Sequence, residues 1–486
     1  MIDEIHRILA EYWPHIVLTL SLVASVSTAI HAAMTKQDVR AAIGWVAVVI
    51  FSPLLGATFY LFAGINRVRL QRVSEQRKLA EQERDRLQRM QISQMPPGFD
   101  EHIKPLRRLG DRINDHVLLQ GSDIKLIVGG DQTYAAMIEA IESAEHTVAL
   151  QSYIFDHDGI GMRVAQALID AKARGVSVRV LIDAIGAKYS HPPITRMLTE
   201  AGVSVGLFLP TAIGLRLVYA NMRSHRKLLV VDGSRALTGG MNIREAFMRE
   251  FAGDSVAVDT HFSVTGPICD HLMDSFAHDW EFTTGERLES DTWFANFDAG
   301  QTTQGVPMRV VLSGPDRAVG RNQSMLLGAL SVARHHVRIQ SPYFLPEPVL
   351  LGALVTAARL GVRVDVVIPA NNNLKLVSAA MEAQLEQLLQ GGVNVWRAQG
   401  AFDHSKLMTV DDQWCYVGSS NVDPRSQRLN FELDLEVYDR VLAEQIAQTI
   451  DHKIEHGKRA TLAELANRPF WLRLRNRFVW LASPLL

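Results

Sequence analysis

Residues 225–233 read His225-Arg226-Lys227-Leu228-Leu229-Val230-Val231-Asp232-Gly233, and residues 404–411 read His404-Ser405-Lys406-Leu407-Met408-Thr409-Val410-Asp411. Both have the form His-x-Lys-x4-Asp. Both are followed at the same spacing by small residues and an amide, Gly239-Gly240 with Asn242 and Gly418-Ser419 with Asn421. At these residue abundances one chance match to His-x-Lys-x4-Asp is expected roughly 0.03 times, so a pair at equivalent places is read as a duplication. Leu228 to Val231 and Leu407 to Val410 read as buried strands. Along an extended chain the His and Lys, two positions apart, fall on one face.

The duplication extends outward. Val148 to Ser152 and Val176 to Ile182 read as strands with a helix over Met162 to Ala173 between them, and the same order returns with His336 to Ser341 and Gly361 to Val366. A self-similarity of about 180 residues is too long for a solenoid and fits two homologous halves. The predicted fold class is α/β, with mostly parallel or mixed sheets covered by helices, and the halves are expected at residues 105–295 and 305–455. If the halves pack about a pseudo-twofold axis, the two His-Lys pairs converge on one cleft.

The chain before residue 105 has a different character. Residues 14–34 and 41–65 carry no Asp, Glu, Lys or Arg, and each reaches the ~20 residues needed to cross ~30 Å of hydrocarbon. They predict a two-helix transmembrane hairpin within residues 1–66, with Trp13 and Tyr60 near the span ends as interfacial aromatics. Arg67, Arg69, Arg72, Arg77 and Lys78 follow the second span, against Lys36 and Arg40 in the connecting loop, which places the large C-terminal part in the cytoplasm. Residues 67–104 read as a charged juxtamembrane helix and a linker around Met95-Pro96-Pro97-Gly98.

Over all 486 residues, 50 basic against 52 acidic side chains leave a net charge of −2, and 47% of residues are hydrophobic, which excludes a disordered chain and a strongly basic polyanion binder. Two cysteines, Cys269 and Cys415, are too few for a disulfide framework and read as buried thiols in a reducing compartment. Residues 467–486 contain no acid, while four arginines alternate with Trp, Phe and Leu. Two readings of this tail are open: an interfacial helix lying on the membrane, and a terminal helix docked on the catalytic part.

Two imidazoles, two ammonium groups and two amides around one position suit a phosphodiester. Lys227, Lys406, Asn242 and Asn421 would hold non-bridging oxygens and stabilise developing charge. One neutral histidine attacks phosphorus while the other, protonated, donates to the leaving alkoxide. Near-symmetric halves do not reveal which attacks. No His/Asp/Glu cluster with metal spacing is read in the chain, and the scheme calls for no metal and no cofactor.

With its duplicated motif the chain resembles the phospholipase D superfamily. Within that superfamily residues 221–233 and 418–432, Thr265-Gly266-Pro267, Ser313-Gly314-Pro315-Asp316, the paired apolar spans and the closing Ser483-Pro484-Leu485-Leu486 are similar to the bacterial cardiolipin synthases. The resemblance implies a multi-pass protein of the bacterial inner membrane that moves a phosphatidyl group from one phosphatidylglycerol to another, giving cardiolipin and glycerol without a metal. It implies anionic membrane lipid as partner and no nucleic acid. By the family's pattern His225 is the nucleophile that forms a phosphohistidine, and His404 is the general acid and then base. Asp232 and Asp411 complete the catalytic motif as its structural acids, and Asp259 and Glu432 match the further acid that orients each histidine. Ala257-Val258 where relatives often carry Trp-Arg, and Pro424 after Asp423, depart from the pattern and bear on the cleft wall and acceptor preference. A membrane-bound phospholipase D or another phosphatidyltransferase, with water or a different alcohol as acceptor, shares every one of these motifs.

Overall fold

In the computed structural model the described residues are 2–36, 39–61, 98–210, 222–288, 290–295, 297 and 305–483. Residues 62–97, which include most of the expected charged helix and the end of the second apolar stretch, lie outside them, as do Asn221 and the closing Pro484-Leu485-Leu486. The chain forms two compact units, Met1–Leu70 and Gln71–Leu486.

In the first unit α1 (Ile2–Thr35) contains the stretch Tyr12–Thr35, the one described helix long and apolar enough to cross a membrane. The second apolar stretch is not the uninterrupted helix expected over 41–65. It is divided into α2 (Val39–Phe51) and α3 (Pro53–Phe59) by Ser52, which leaves the helical region at φ −141° and ψ 74°. Pro53 causes the break: it has no N–H to donate and its ring excludes the preceding residue from helical geometry. The pieces still pack on α1. Ser25 Oγ donates to Val49 O (3.0 Å), His31 Nδ1 lies 2.9 Å from the Tyr60 hydroxyl, and Ala32, Val49 and Tyr60 form a small core. A Cβ on Gly56 would stand 2.5 Å from Val48 O, so this close turn requires glycine.

The second unit is built on one mixed sheet. Its first half contributes β1 (Leu119–Val128), β2 (Thr147–Ser152), β3 (Ser177–Asp183), β4 (Ser204–Phe208), β5 (Arg223–Ser224), β6 (Leu228–Val231), β7 (Arg235–Gly239) and β8 (Thr260–Thr265). The second contributes β9 (Val306–Ser313), β10 (His336–Gln340), β11 (Arg363–Pro369), β12 (Asn394–Ala398), β13 (Leu407–Val410), β14 (Trp414–Gly418), β15 (Asn430–Tyr438) and β16 (Lys458–Arg459). The strand order is β16-β12-β11-β10-β13-β14-β15-β9-β1-β8-β7-β6-β2-β3-β4. Read outward from the antiparallel β9/β1 pair, where Leu119 faces Met308 and Ser122 faces Val306, the two sides run through equivalent strands in the same order. That is the repeat of the sequence turned into a pseudo-twofold.

Helices cover the sheet: α4 (Gly130–Glu142), α5 (Gly159–Ala173), α6 (Ile194–Glu200) and α7 (Ile268–Thr284) belong to the first half. The second half has α8 (Arg321–Val332), α9 (Pro348–Arg359), α10 (Lys375–Gln390), α11 (Pro424–Arg428) and α12 (Arg440–Glu455), followed by α13 (Phe470–Leu481). The crossovers β2-α5-β3 and β10-α9-β11 join parallel strands, as strands separated by a helix require. Asp158 caps α5 by accepting from Gly161 N (2.9 Å), and Asp439 caps α12 by accepting from Leu442 N (2.5 Å). Each half has its own apolar core, one around Leu150, Leu168, Val180 and Leu229 and one around Ile339, Leu354, Val366 and Met408. Each fully buried Leu, Ile or Val side chain contributes about 1.5–3 kcal/mol to holding its layer.

The tail takes the docked form. α13 packs along α10 with Asn476 buried, Val479 and Trp480 against the second core, and Arg477 paired to Glu386 at 2.9 Å.

Candidate active site

The histidines stand just before the strands of the motif. β6 and β13 begin at Leu228 and Leu407, so His225-Arg226-Lys227 and His404-Ser405-Lys406 are the entry segments, shaped by contacts from elsewhere. Those contacts come from the opposite half. β5 pairs with the start of β15, Arg223 facing Asn430 and Ser224 facing Phe431, and His225 N donates to Phe431 O (2.8 Å). In the mirror position Val258 bridges Asp403, Val258 N donates to Phe402 O (2.9 Å), and His404 N donates to Val258 O (2.7 Å).

This reciprocal pairing puts each acid beside the histidine of the other half. His225 Nδ1 lies 2.9 Å from Glu432 Oε2 and 3.1 Å from Ser419 O, and His404 Nδ1 lies 2.8 Å from Asp259 Oδ2. All four side chains are buried. With acceptors on Nδ1, that nitrogen carries the ring proton and Nε2 is left with its lone pair. Asp259, whose match to the family rested on weaker sequence context than that of Glu432, has the shorter contact.

Both lysines fold back over their own histidine. Lys227 Nζ donates to His225 O (2.6 Å); Lys406 Nζ donates to His404 O and lies 2.9 Å from His404 Nδ1. Burial lowers Lys227 to about 7 and Lys406 to about 8, against the attraction of Glu432 and Asp259. Each lysine is felt in both halves. Burial, then Lys227 and Lys406, drive His225 well below the ordinary imidazole range, while burial and Lys406 take His404 to about 4 against the pull of Asp259. The two acids differ. Burial raises Glu432, whereas Asp259, though burial pushes it up, is brought to about 2 by Lys406 and His404.

Asp232 and Asp411, counted with the motif as catalytic, are at the far end of their strands and take no part in the cleft. Asp232 accepts from the backbone N–H groups of Glu145, His146 and Thr147 at 2.7–2.9 Å. Asp411 accepts from those of Arg334, His335 and His336 at 2.8 Å and from His102 Nε2 at 2.8 Å. Both occupy left-handed turns at φ 48° and 52°, where an aspartate that bonds locally is tolerated. Five steps of extended chain, about 16 Å, separate them from the lysines. They are structural: each pins the loop that leads into β2 or β10.

Asn242 Oδ1 accepts from Ile154 N (3.2 Å), and Asn421 Nδ2 donates to Ser426 Oγ (3.4 Å), so both amides brace cleft loops. Asn421 Oδ1 is buried without a hydrogen-bond partner. Sequence reasoning missed two tyrosines. Tyr153 lies 5.6 Å from His225 and Tyr343 lies 5.9 Å from His404, ring centre to ring centre. Their signal was present, since Gln151-Ser152-Tyr153 and Gln340-Ser341-Pro342-Tyr343 sit at equivalent places of the repeat.

A group of side chains at a spacing that could hold a metal ion was also missed. On the last turn of α12, His452, Glu455 and His456 are exposed with ligand atoms all within 4.8 Å of one another. The spacing i, i+3, i+4 puts them on one helix face. This group shares no residue with the cleft, and the transfer scheme uses none of it.

Comparisons with known proteins agree with this geometry. The family model described as cardiolipin synthase, PLD-like domain, matches residues 137–280 and 326–454, and one described as phospholipase D-nuclease N-terminal matches residues 20–64. The cardiolipin synthase of Alkalihalophilus pseudofirmus is 30% identical over 91% of this chain and 88% of its own length. Cardiolipin synthase A of Serratia proteamaculans is 30% identical over 93% of this chain and 94% of its own. The crystal structure of phosphatidylserine synthase from Haemophilus influenzae superposes with a TM-score of 0.60 at 16% identity, over 79% of this chain and all of that one, a likeness of fold. With two PLD-like halves, a histidine, a lysine and an acid from each converging on one cleft, and relatives that match it nearly end to end, the chain belongs to the cardiolipin synthase family.

Proposed function

We propose that the chain joins two phosphatidylglycerol molecules into cardiolipin, with His225 as nucleophile and His404 as general acid and base. The observation that carries the two-histidine chemistry is the reciprocal pairing of each histidine with an acid of the opposite half, Glu432 on His225 and Asp259 on His404, and the different environments of those acids support the roles. Burial disfavours charge on both His225 and Glu432, so His225 is kept neutral with Nε2 ready to attack. Asp259 stays ionised and stabilises a proton on His404 once a diester anion sits between the lysines.

In the first step His225 Nε2 bonds to phosphorus and the bond from phosphorus to the glycerol oxygen breaks. The leaving oxygen takes the proton from His404 and glycerol departs. In the second, His404 takes the proton of a hydroxyl on the acceptor lipid, that oxygen bonds to phosphorus, and the N–P bond breaks to restore His225. Lys227, Lys406 and the amides of Asn242 and Asn421 hold the non-bridging oxygens while charge grows on them.

The membrane arrangement belongs to the same proposal. Tyr12–Thr35 crosses the inner membrane with its apolar side chains outward, Leu18 being 67% exposed and Leu22 63%. The second apolar stretch, 41–65 in the sequence and broken at Ser52 in its described part, returns as the second span, and the basic residues after Ile65 keep the catalytic halves, 105–295 and 305–455, in the cytoplasm.

The test supplies phosphatidylglycerol to membranes holding the full chain, with chelator present, and measures cardiolipin and free glycerol. Equal amounts of the two are expected; phosphatidic acid as sole product would replace transfer by hydrolysis.

A further inference from the structure

The docked tail buries part of its apolar surface and leaves four large apolar side chains facing away from the catalytic unit. α13 faces the catalytic unit through Asn476, Val479, Trp480 and the Arg477–Glu386 pair, with Arg468 just before the helix paired to Glu382 at 2.6 Å. Its opposite side carries Phe470, Trp471, Phe478 and Leu481, exposed by 66%, 75%, 65% and 69%. At about 100° per residue these four fall in one stripe about 100° wide, with Arg475 beyond one edge and Arg477 beyond the other. The helix is thus apolar on two sides: Val479 and Trp480 hold it to the second core beside the polar and ionic contacts, and a second, aromatic stripe faces out.

We infer that this outward stripe of α13 is a docking surface for an anionic lipid bilayer, carried by the catalytic unit itself. Charge complementarity favours that occupant over a second copy of the chain. Residues 467–486 contain four arginines and no acid; Arg468 and Arg477 are paired to glutamates, and with Arg473 and Arg475 carrying no ion pair among the described residues, an isologous contact between two such stripes would set like charges together, whereas phosphate headgroups match them. The aromatic rings suit the headgroup level, where an apolar body and a polar edge are both accommodated. One helix links the stripe to the chemistry, over about 14–20 Å from Glu382 and Glu386 to the residues before its first turn. α13 packs on α10, the residues entering α10 include Asn373, whose Oδ1 accepts from the Tyr343 hydroxyl (2.9 Å), and Tyr343 stands against His404. Leu374 and Leu376, at the start of α10, are 45% and 60% exposed. The two readings of the tail thus hold together, because opposite faces of one helix serve them.

The stripe is tested on the full chain carrying Trp471→Cys and an environment-sensitive fluorophore; Cys269 and Cys415 are buried, which directs the label to position 471. On reconstitution into phosphatidylglycerol vesicles the emission shifts to the blue and acyl-brominated phosphatidylglycerol quenches it, while a label on Gln166→Cys, exposed on α5, behaves as in water. An unquenched label at 471 overturns the assignment, and so does a blue shift already present in detergent that dilution reverses, the sign of a second copy. In the second arm Trp471→Glu with Phe478→Glu slows turnover on phosphatidylglycerol vesicles about tenfold and leaves turnover of monomeric short-chain phosphatidylglycerol unchanged, whereas Trp471→Leu keeps both. Equal loss on the two substrates, or none on vesicles, overturns it. Quenching does not depend on turnover, so a chain that docks but makes no cardiolipin counts against the transfer reading alone.

Discussion

The two catalytic halves share strand order and motif, yet they back their histidines differently. Behind His225, Arg226 forms a fully buried pair with Asp279 of α7 at 2.8 Å, and Glu432 is pushed up by burial. Behind His404 the matching residue is Ser405, bonded to Thr260 Oγ1 at 2.8 Å, and Asp259 is held down to about 2. On the helix after the acid-bearing segment the charge is reversed as well, since Lys453 of α12 pairs with Asp403 where the first half has Asp279. The fold is symmetric and the electrostatics are not. Both imidazoles are lowered, His225 well below the ordinary range and His404 to about 4 against the pull of Asp259, and the proposed two-step transfer rests on that difference.

The sharpest way to break this comparison is to remove each histidine in turn. His225→Ala and His404→Ala are each expected to lower phosphatidylglycerol turnover by about 10⁴-fold. With a diester whose leaving group needs no protonation, such as a nitrophenyl ester, His404→Ala should regain formation of the phosphoenzyme, trapped by acid quench, while His225→Ala should not. Recovery in His225→Ala instead would exchange the two roles. Next in size is the buried pair that only the first half has. Arg226→Met strands Asp279 and should cost about 3–5 kcal/mol of stability, read as a lowered thermal midpoint, whereas Ser405→Ala should cost about 1 kcal/mol.

The acids should separate less widely. Asp259→Asn removes the charge that stabilises protonated His404, and a fall of about hundredfold in kcat is expected, against about tenfold for Glu432→Gln. Equal losses would mean that both histidines rely on charge alike. The smallest effect is on pH dependence. Lys227 near 7 and Lys406 near 8 lose their protons as pH rises, so kcat/KM for lipid should fall above pH 8 while kcat changes less, because the bound anion holds both lysines charged. A flat kcat/KM from pH 7 to about 9.5 would remove the lysines as the anion holders.

Much of this was legible in the chain, and the misses have physical causes. Ser52-Pro53 divides the second apolar stretch, and the proline was visible; an uninterrupted span was read because a lack of charge measures hydrophobicity and says nothing about helix continuity. His452, Glu455 and His456 share one helix face at a spacing that can be counted along the chain. Asp232 and Asp411, expected as the motif's structural acids, lie five positions from the lysines, at the far ends of β6 and β13.

By itself the amino-acid sequence determined the duplication, the α/β class, the apolar N-terminal stretches and the histidines, lysines and acids of the site, because periodicity, spacing and residue chemistry are properties of neighbours along a chain. Tertiary structure alone decided that Glu432 serves His225 and Asp259 serves His404. Those partners are 207 and 145 residues apart and meet only where each entry segment pairs with the opposite half. Burial decided the rest, since the same imidazole, ammonium and carboxyl groups take different charges according to how much water the packed halves exclude.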